Sequence, residues 1–219
     1  NAPSAGDVDP CDIWCSLLAG VDGRVYVWGR HDFGVLGGDG RNNIGELDRP
    51  TPLPGISDVV DVEGCDRAAA ALRRDGTVWM WGEDRGGVMG TGKLTGEYES
   101  GDEYHRPVRV KGIDQVTQIA CGEEHMLVLR RDGSVWAWGS NKSGQLGVGD
   151  TEPRGRPTQV VGLAGVTRVR ASGFGSMARL GDGSWRVWGF VGPPMKAGSV
   201  PPPVVPTALP SVLASTVDI

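Results

Sequence analysis

The chain has 219 residues, enough for one ordinary domain or a generous single β domain and too few for two full ones at roughly 150 residues per domain. Its 36 Gly and 15 Pro are 51 of the 219 residues, below the roughly 25 to 30% at which composition alone suggests disorder, and 8 Trp with 39% apolar content point to a packed core. A net charge of -5 excludes a global electrostatic footprint for nucleic acid or an anionic membrane, and no apolar run approaches the roughly 20 residues of a spanning helix.

Residues 1–8 read as an N-terminal arm without a charged-then-apolar signal segment. Because the chain opens on Asn1, it is expected to be a processed form or an excerpt of a longer one. From Asp9 onward the sequence repeats itself. The string DGxVxxWG occurs at residues 22–29, 75–82 and 132–139, with a variant at 182–189. The closing tryptophans, Trp28, Trp81, Trp138 and Trp188, lie 53, 57 and 50 residues apart. Each copy reads as an apolar strand, an Asp-Gly turn of the primed two-residue type and a second apolar strand. In the third copy Leu127 and Leu129 alternate with Met126 and Val128, and Val135 and Ala137 alternate with Trp136 and Trp138. Strands apolar on both faces belong between two packed sheets, as in radially stacked blades. A Gly-rich loop follows each Trp-Gly, and then a proline-led strand.

The first loop carries Arg30, His31 and Phe33, and the second carries Arg85. An insertion at residues 90–107 accounts for the 57-residue gap. Its acids Glu97, Glu99, Asp102 and Glu103 lack the fixed ligand spacing of a calcium loop and read as solvated. Tyr98, Tyr104 and His105 in the same insertion point to partner contact, because aromatic side chains dominate interface energies. Gly90 to Lys93 spell GTGK without the rest of a phosphate-binding loop. In the fourth copy Arg186 stands where the others have Tyr26, Trp79 and Trp136, and a proline-rich loop begins at Phe190. That blade is therefore expected to have a different neighbour or an exposed face.

Residues 121–150, CGEEHMLVLRRDGSVWAWGSNKSGQLGVGD, resemble a repeat of the regulator of chromosome condensation family, and the resemblance extends over about residues 9–219. It implies an all-β propeller of four-stranded antiparallel blades, usually seven in that family. Four copies leave three arrangements open: a closed small ring, an oligomer sharing blades between chains, or part of a seven-bladed ring. Residues 1–28 and 189–219 together make about one repeat, so the two ends are expected to be able to complete one shared blade.

Four cysteines do not decide the compartment, which leans only weakly to an exported or processed bacterial protein. Cys121 and His125, placed four apart on one strand, would lie roughly 13 Å from each other, too far for one metal. Free buried thiols are the expectation, with Cys65 and Cys121 the pair to check in an exported protein. Arg73-Arg74 and Arg130-Arg131 precede Asp-Gly turns and are read as turn residues. No nucleophile, carboxylate pair or metal set stands out, so no enzyme, cofactor or metal is expected.

Relatives implied by the resemblance include a nucleotide exchange factor for a small GTPase, a β-lactamase inhibitor and a plant ultraviolet-B photoreceptor, all acting through protein contacts. No exchange wedge or clustered GWRHT motif is present here. The expected function is a non-enzymatic propeller that binds another protein, with no nucleic acid or membrane partner. The expected contacts are Arg30, His31, Phe33, Arg85, Tyr98, Tyr104, His105 and Phe190. The alternative is an assembly module completed by oligomerisation or by another chain segment; an exchange factor or a secreted enzyme inhibitor follows behind both.

Overall fold

The computed structural model describes residues 8–11, 15–30, 33–38, 46–94, 102–190 and 203–208. Sixteen strands form four antiparallel sheets of four, each from consecutive strands, and no helix occurs among the described residues. Blade 1 is β1 (Val8–Cys11), β2 (Cys15–Ala19), β3 (Val25–Arg30) and β4 (Glu46–Pro52). Blade 2 is β5 (Val59–Gly64), β6 (Ala68–Arg73), β7 (Val78–Glu83) and β8 (Glu103–Arg109). Blade 3 is β9 (Val116–Cys121), β10 (His125–Arg130), β11 (Val135–Gly139) and β12 (Arg154–Gln159). Blade 4 is β13 (Val166–Ser172), β14 (Gly175–Leu180), β15 (Trp185–Gly189) and β16 (Thr207–Ala208). Among the described residues, blades 1 and 4 each assemble from their own stretch of chain, so the described parts of the two ends lie in separate blades rather than in the one shared blade expected.

Strands that are apolar on both faces bury both faces. In β6 the run Ala68–Leu72 is buried throughout, with Ala69 and Ala71 turned to blade 1 and Ala68, Ala70 and Leu72 turned to blade 3. Three apolar cores result, one at each junction between consecutive blades. The first strands β5, β9 and β13 touch one another in turn, which places them nearest the axis. The fourth strands lie outermost and carry Pro50, Pro107 and Pro157, residues that cannot donate to a further strand and so suit an edge.

The Asp-Gly hairpins are wider than the two-residue turn expected. In blade 3 the Gly133 N–H donates to the Arg130 carbonyl at 2.9 Å and the Arg130 N–H to the Ser134 carbonyl at 2.9 Å, and all four copies share this pattern. Gly133 has φ 79°, whereas Asp132 is not among the residues with positive φ. The geometry is a turn followed by one left-handed glycine, the three-residue hairpin with a glycine bulge. Aspartate is needed for a different reason than turn strain: its carboxylate accepts the N–H two residues on, at 3.1 Å for Asp22, 3.0 Å for Asp75, 3.0 Å for Asp132 and 2.9 Å for Asp182.

Three of the four closing tryptophans fasten their blade to the one before. Trp81 Nε1 donates to the Val35 carbonyl at 2.8 Å, Trp138 to that of Val88 at 2.7 Å and Trp188 to that of Gln145 at 2.9 Å. All three indoles are fully buried. Trp28 departs from the expectation of burial: it is only half-buried and belongs to none of the three cores, because its face of blade 1 has no preceding blade among the described residues. Arg186 fills the tryptophan slot: its guanidinium donates to Ser184 Oγ at 3.1 Å, as Trp136 Nε1 does to Ser134 Oγ at 3.1 Å. Blade 4 does present an exposed face, on which Arg168 and Arg170 lie, with no following blade among the described residues.

Candidate functional site: the Trp-Gly rim and the bay beneath it

One rim of the arc carries the Asp-Gly hairpins. The other carries the loops that follow each Trp-Gly and the turns from each first strand to the second. The glycine after the tryptophan has left-handed φ, 108° at Gly82 and 107° at Gly139. A Cβ at Gly139 would stand 2.3 Å from the Glu124 carbonyl, so only glycine lets the chain leave the blade here.

Hydrogen bonds and ion pairs tie neighbouring blades together along this rim. The Asp66 N–H donates to the Glu123 carbonyl at 3.1 Å, and the Glu123 N–H to the Gly173 carbonyl at 3.0 Å. A ladder of side chains runs across three blades. Arg67 stacks on the Phe33 ring at 4.0 Å and pairs with Glu83 at 3.1 Å; Arg85 lies 4.0 Å from Glu83 and 3.5 Å from Glu124. Burial pushes the Glu124 carboxyl above its ordinary range, partly offset by the Arg85 charge.

Cys65 and Cys121 form a disulfide between blades 2 and 3, with a Cα–Cα distance of 5.4 Å. This corrects the expectation of free thiols. The first strands converge on the axis, so slots that would be far apart at the periphery fall within bridging distance at the inner turns. Cys15 is also disulfide-bonded. The placement of Cys121 and His125 on one strand is corrected too, since Cys121 ends β9 and His125 begins β10. His125 is fully buried, with Nε2 2.9 Å from Ser176 Oγ in blade 4. That hydroxyl donates to the Gln145 carbonyl at 2.7 Å, so it accepts from the imidazole and fixes the Nε2–H tautomer. Burial pulls the His125 pKa down to about 4, and the ring is neutral at pH 7. Among the described residues no group of three or more His, Cys, Asp or Glu side chains could hold a metal ion.

Beneath the blade 4 end of this rim lies a bay of about 710 Å³ beside the axis. Its walls include Glu63, Gln118 and Glu123 from blades 2 and 3, and Arg168, Arg170, Phe174, Met177 and Phe190 from blade 4. The two phenylalanines are linked by the Phe190 N–H donating to the Phe174 carbonyl at 2.9 Å.

The residues expected to form a contact surface are distributed unevenly. Phe33 and Arg85 join the ladder, and Phe190 lines the bay. Arg30 is exposed at the end of β3, opposite Glu46. Tyr104 and His105 lie in β8 rather than in a loop: Tyr104 packs against the core between blades 2 and 3, and His105 sits 3.4 Å from Glu103 with its ring over Gly34. His31 and Tyr98 lie outside the described residues. Arg67, Glu124, Phe174, Arg168 and Arg170 were not among the expected contacts. The two bay arginines had a signal in the sequence, their fixed distance ahead of Trp188, which is visible only once the first strands of the repeats are aligned.

Radial four-stranded blades fastened by tryptophans define a propeller-repeat protein. Models of the regulator of chromosome condensation (RCC1) repeat match residues 22–72, 75–129 and 132–179, and a second model of that repeat matches residues 116–145. The chain belongs to this repeat family. It is 33% identical over 177 residues to the RCC1 domain-containing protein RUG3, mitochondrial, of Arabidopsis thaliana, covering 76% of this chain and 38% of that protein. It is 34% identical over 161 residues to the human E3 ubiquitin-protein ligase HERC2, covering 72% of this chain and 3% of that protein. Among solved structures it superposes on Prp20p of Saccharomyces cerevisiae, described with its binding properties to Gsp1p and histones, with a TM-score of 0.76 and 23% identity over 94% of this chain and 50% of that one. Human WBSCR16 gives a TM-score of 0.76 at 22% identity over 94% of this chain and 52% of that one. The chain thus spans about half the length of the solved propellers it matches.

Proposed function

We propose that the chain is a non-enzymatic propeller unit that binds another protein through its Trp-Gly rim. The observation that carries this reading is the division of labour among the side chains. The strand faces that meet between consecutive blades are consumed in three cores, while the ladder from Phe33 to Glu124 and the bay at Phe190 stand on the one rim where the repeats differ from one another. Loops held by a rigid scaffold are the usual carriers of recognition. The description of Prp20p, with Gsp1p and histones as its ligands, supports a protein rather than a small molecule as the partner class. Arg30, His31, Phe33, Arg85, Tyr98, Tyr104, His105 and Phe190 are proposed as contacts.

A second reading, the assembly module, is favoured by one observation: among the described residues the Trp28 face of blade 1 has no neighbour of the kind that seals the other three tryptophans. Affinity capture with the 219-residue chain, followed by titration of the captured partner against Phe33→Ala, Arg85→Ala and Phe190→Ala, tests the first reading. Losses of about 1 kcal/mol or more in affinity with little change in melting temperature are expected. Unchanged affinity across all three variants would overturn it. Light scattering tests the second, which requires a mass above the 23.1 kDa of one chain.

A further inference from the structure

Counting back twenty and eighteen residues from each closing tryptophan gives Asp61 and Glu63 in blade 2, Gln118 and Ala120 in blade 3, and Arg168 and Arg170 in blade 4. In blade 3 these slots meet the next blade. The Val169 N–H donates to Gln118 Oε1 at 2.9 Å, Gln118 Nε2 donates to the Val169 carbonyl at 3.2 Å, and Ala120 packs in the core shared with blade 4. The slot pair is thus suited to an extended neighbour. In blade 4 it holds two exposed arginines, both lining the bay, with no ion-pair partner among the described residues.

We propose that this wall of the bay binds an extended acidic segment of a partner protein. The proposal deepens the protein-binding reading and rests on it. Residues two apart on a strand project from one face roughly 7 Å from each other, and so do alternate residues of an extended peptide, so the two guanidinium groups match carboxylates at alternate positions. A guanidinium takes a carboxylate through two parallel N–H donors, which makes the match directional. Phe174, Phe190 and Met177 line the same bay and offer an apolar side chain of the segment a place beside its acids. A nucleic-acid strand suits the bay less well. Its charge, one phosphate at every nucleotide, would extend past the two arginines onto Glu63 and Glu123 of the facing wall, whereas carboxylates on one face of an extended peptide can meet the arginine wall alone.

The test is a titration of the 219-residue chain with a fluorescein-labelled octapeptide carrying Glu at alternate positions and one Leu. The comparison peptide has Gln in place of Glu; a phosphoserine peptide and a single-stranded oligonucleotide form the other arms. The variant R168Q/R170A places in blade 4 the residues that blade 3 already carries at these slots, so its fold is expected to survive. The expected result is binding of the Glu peptide, at least tenfold weaker binding of the Gln peptide, and at least a tenfold loss for the variant at unchanged melting temperature. Raising NaCl from 50 to 300 mM should weaken binding at least fivefold on the unmodified chain, a readout independent of any variant. Absence of Glu-peptide binding, a variant affinity within twofold of the original, no salt dependence, or tighter binding of the phosphopeptide or oligonucleotide would each overturn the proposal. Asp132→Ala, on the opposite rim, should leave peptide affinity unchanged, and loss of partner capture with peptide binding intact would mark failure of the rim reading alone.

Discussion

The two rims of the arc are built by the same four repeats and differ in how much they vary. On the Asp-Gly rim every copy repeats one solution: the aspartate accepts the N–H two residues on, and the neighbouring slot reaches back to the turn, through Tyr26 onto Asp22, Trp79 onto Thr77, Trp136 onto Ser134 and Arg186 onto Ser184. Arg73 and Arg130 are clasped there as well, pairing with Asp58 at 3.2 Å and with Asp114 at 3.1 Å. On the Trp-Gly rim the copies diverge. Asn141 Oδ1 accepts the Leu146 N–H at 2.9 Å, whereas the equivalent loop of blade 2 is held by a buried acid, Asp84, accepting the Met89 N–H at 3.1 Å. A rim that repeats a self-satisfied bond pattern serves folding, and a rim that varies over a fixed core is free to serve recognition.

Substitutions can break this contrast at several strengths. The largest effect is expected beneath the recognition rim, where Trp138 holds the Val88 loop: Trp138→Ala should cost about 3 to 5 kcal/mol by denaturant unfolding. Trp28→Ala should cost clearly less, because that indole is only partly buried and belongs to none of the three cores. Equal costs would contradict the assignment of stability to the junctions between blades. Next comes the bridge at the inner turns. C65S/C121S should lose about 2 to 4 kcal/mol, and reduction of the unmodified chain should lower its melting temperature in parallel.

The third effect is a pH dependence. His125 titrates near its ordinary value when unfolded and at about 4 when folded, so its contribution is present above about pH 6.5 and is lost as pH falls toward 4. The loss amounts to about 3 kcal/mol at most. Glu124 and Asp84, raised by burial, act with the opposite sign and favour the folded state as pH falls. The diagnostic is therefore the difference between the chain and its His125→Gln variant, which should lack the falling arm between pH 6.5 and 4. A smaller effect belongs to the regular rim: Asp132→Ala removes bonds to the Ser134 N–H and hydroxyl and should cost about 1 kcal/mol while leaving partner affinity unchanged.

The blades were legible in the sequence because their cause is periodic. Alternating apolar residues around each Asp-Gly and a tryptophan at fixed distance define strands buried on both faces, and that pattern carries through from Leu17 to Trp188. What remained hidden depended on where one repeat meets the next. The approach of Cys65 to Cys121 follows from the convergence of the first strands, which no spacing within a repeat encodes. Tyr104 and His105 looked like loop residues because the strand β8 that holds them begins inside the insertion. Trp28 reads in sequence like its three counterparts, and only the absence of a preceding blade among the described residues sets it apart.

The central claim, that recognition belongs to the Trp-Gly rim, is tested most directly by hydrogen–deuterium exchange of the chain with and without its captured partner. The account predicts slowed exchange in the turns at residues 64–67, 122–124 and 172–175 and in the loops at residues 33–38 and 83–90, with the Asp-Gly hairpins unchanged. Protection confined to the hairpins at residues 20–24, 73–77, 130–134 and 180–184 would contradict it.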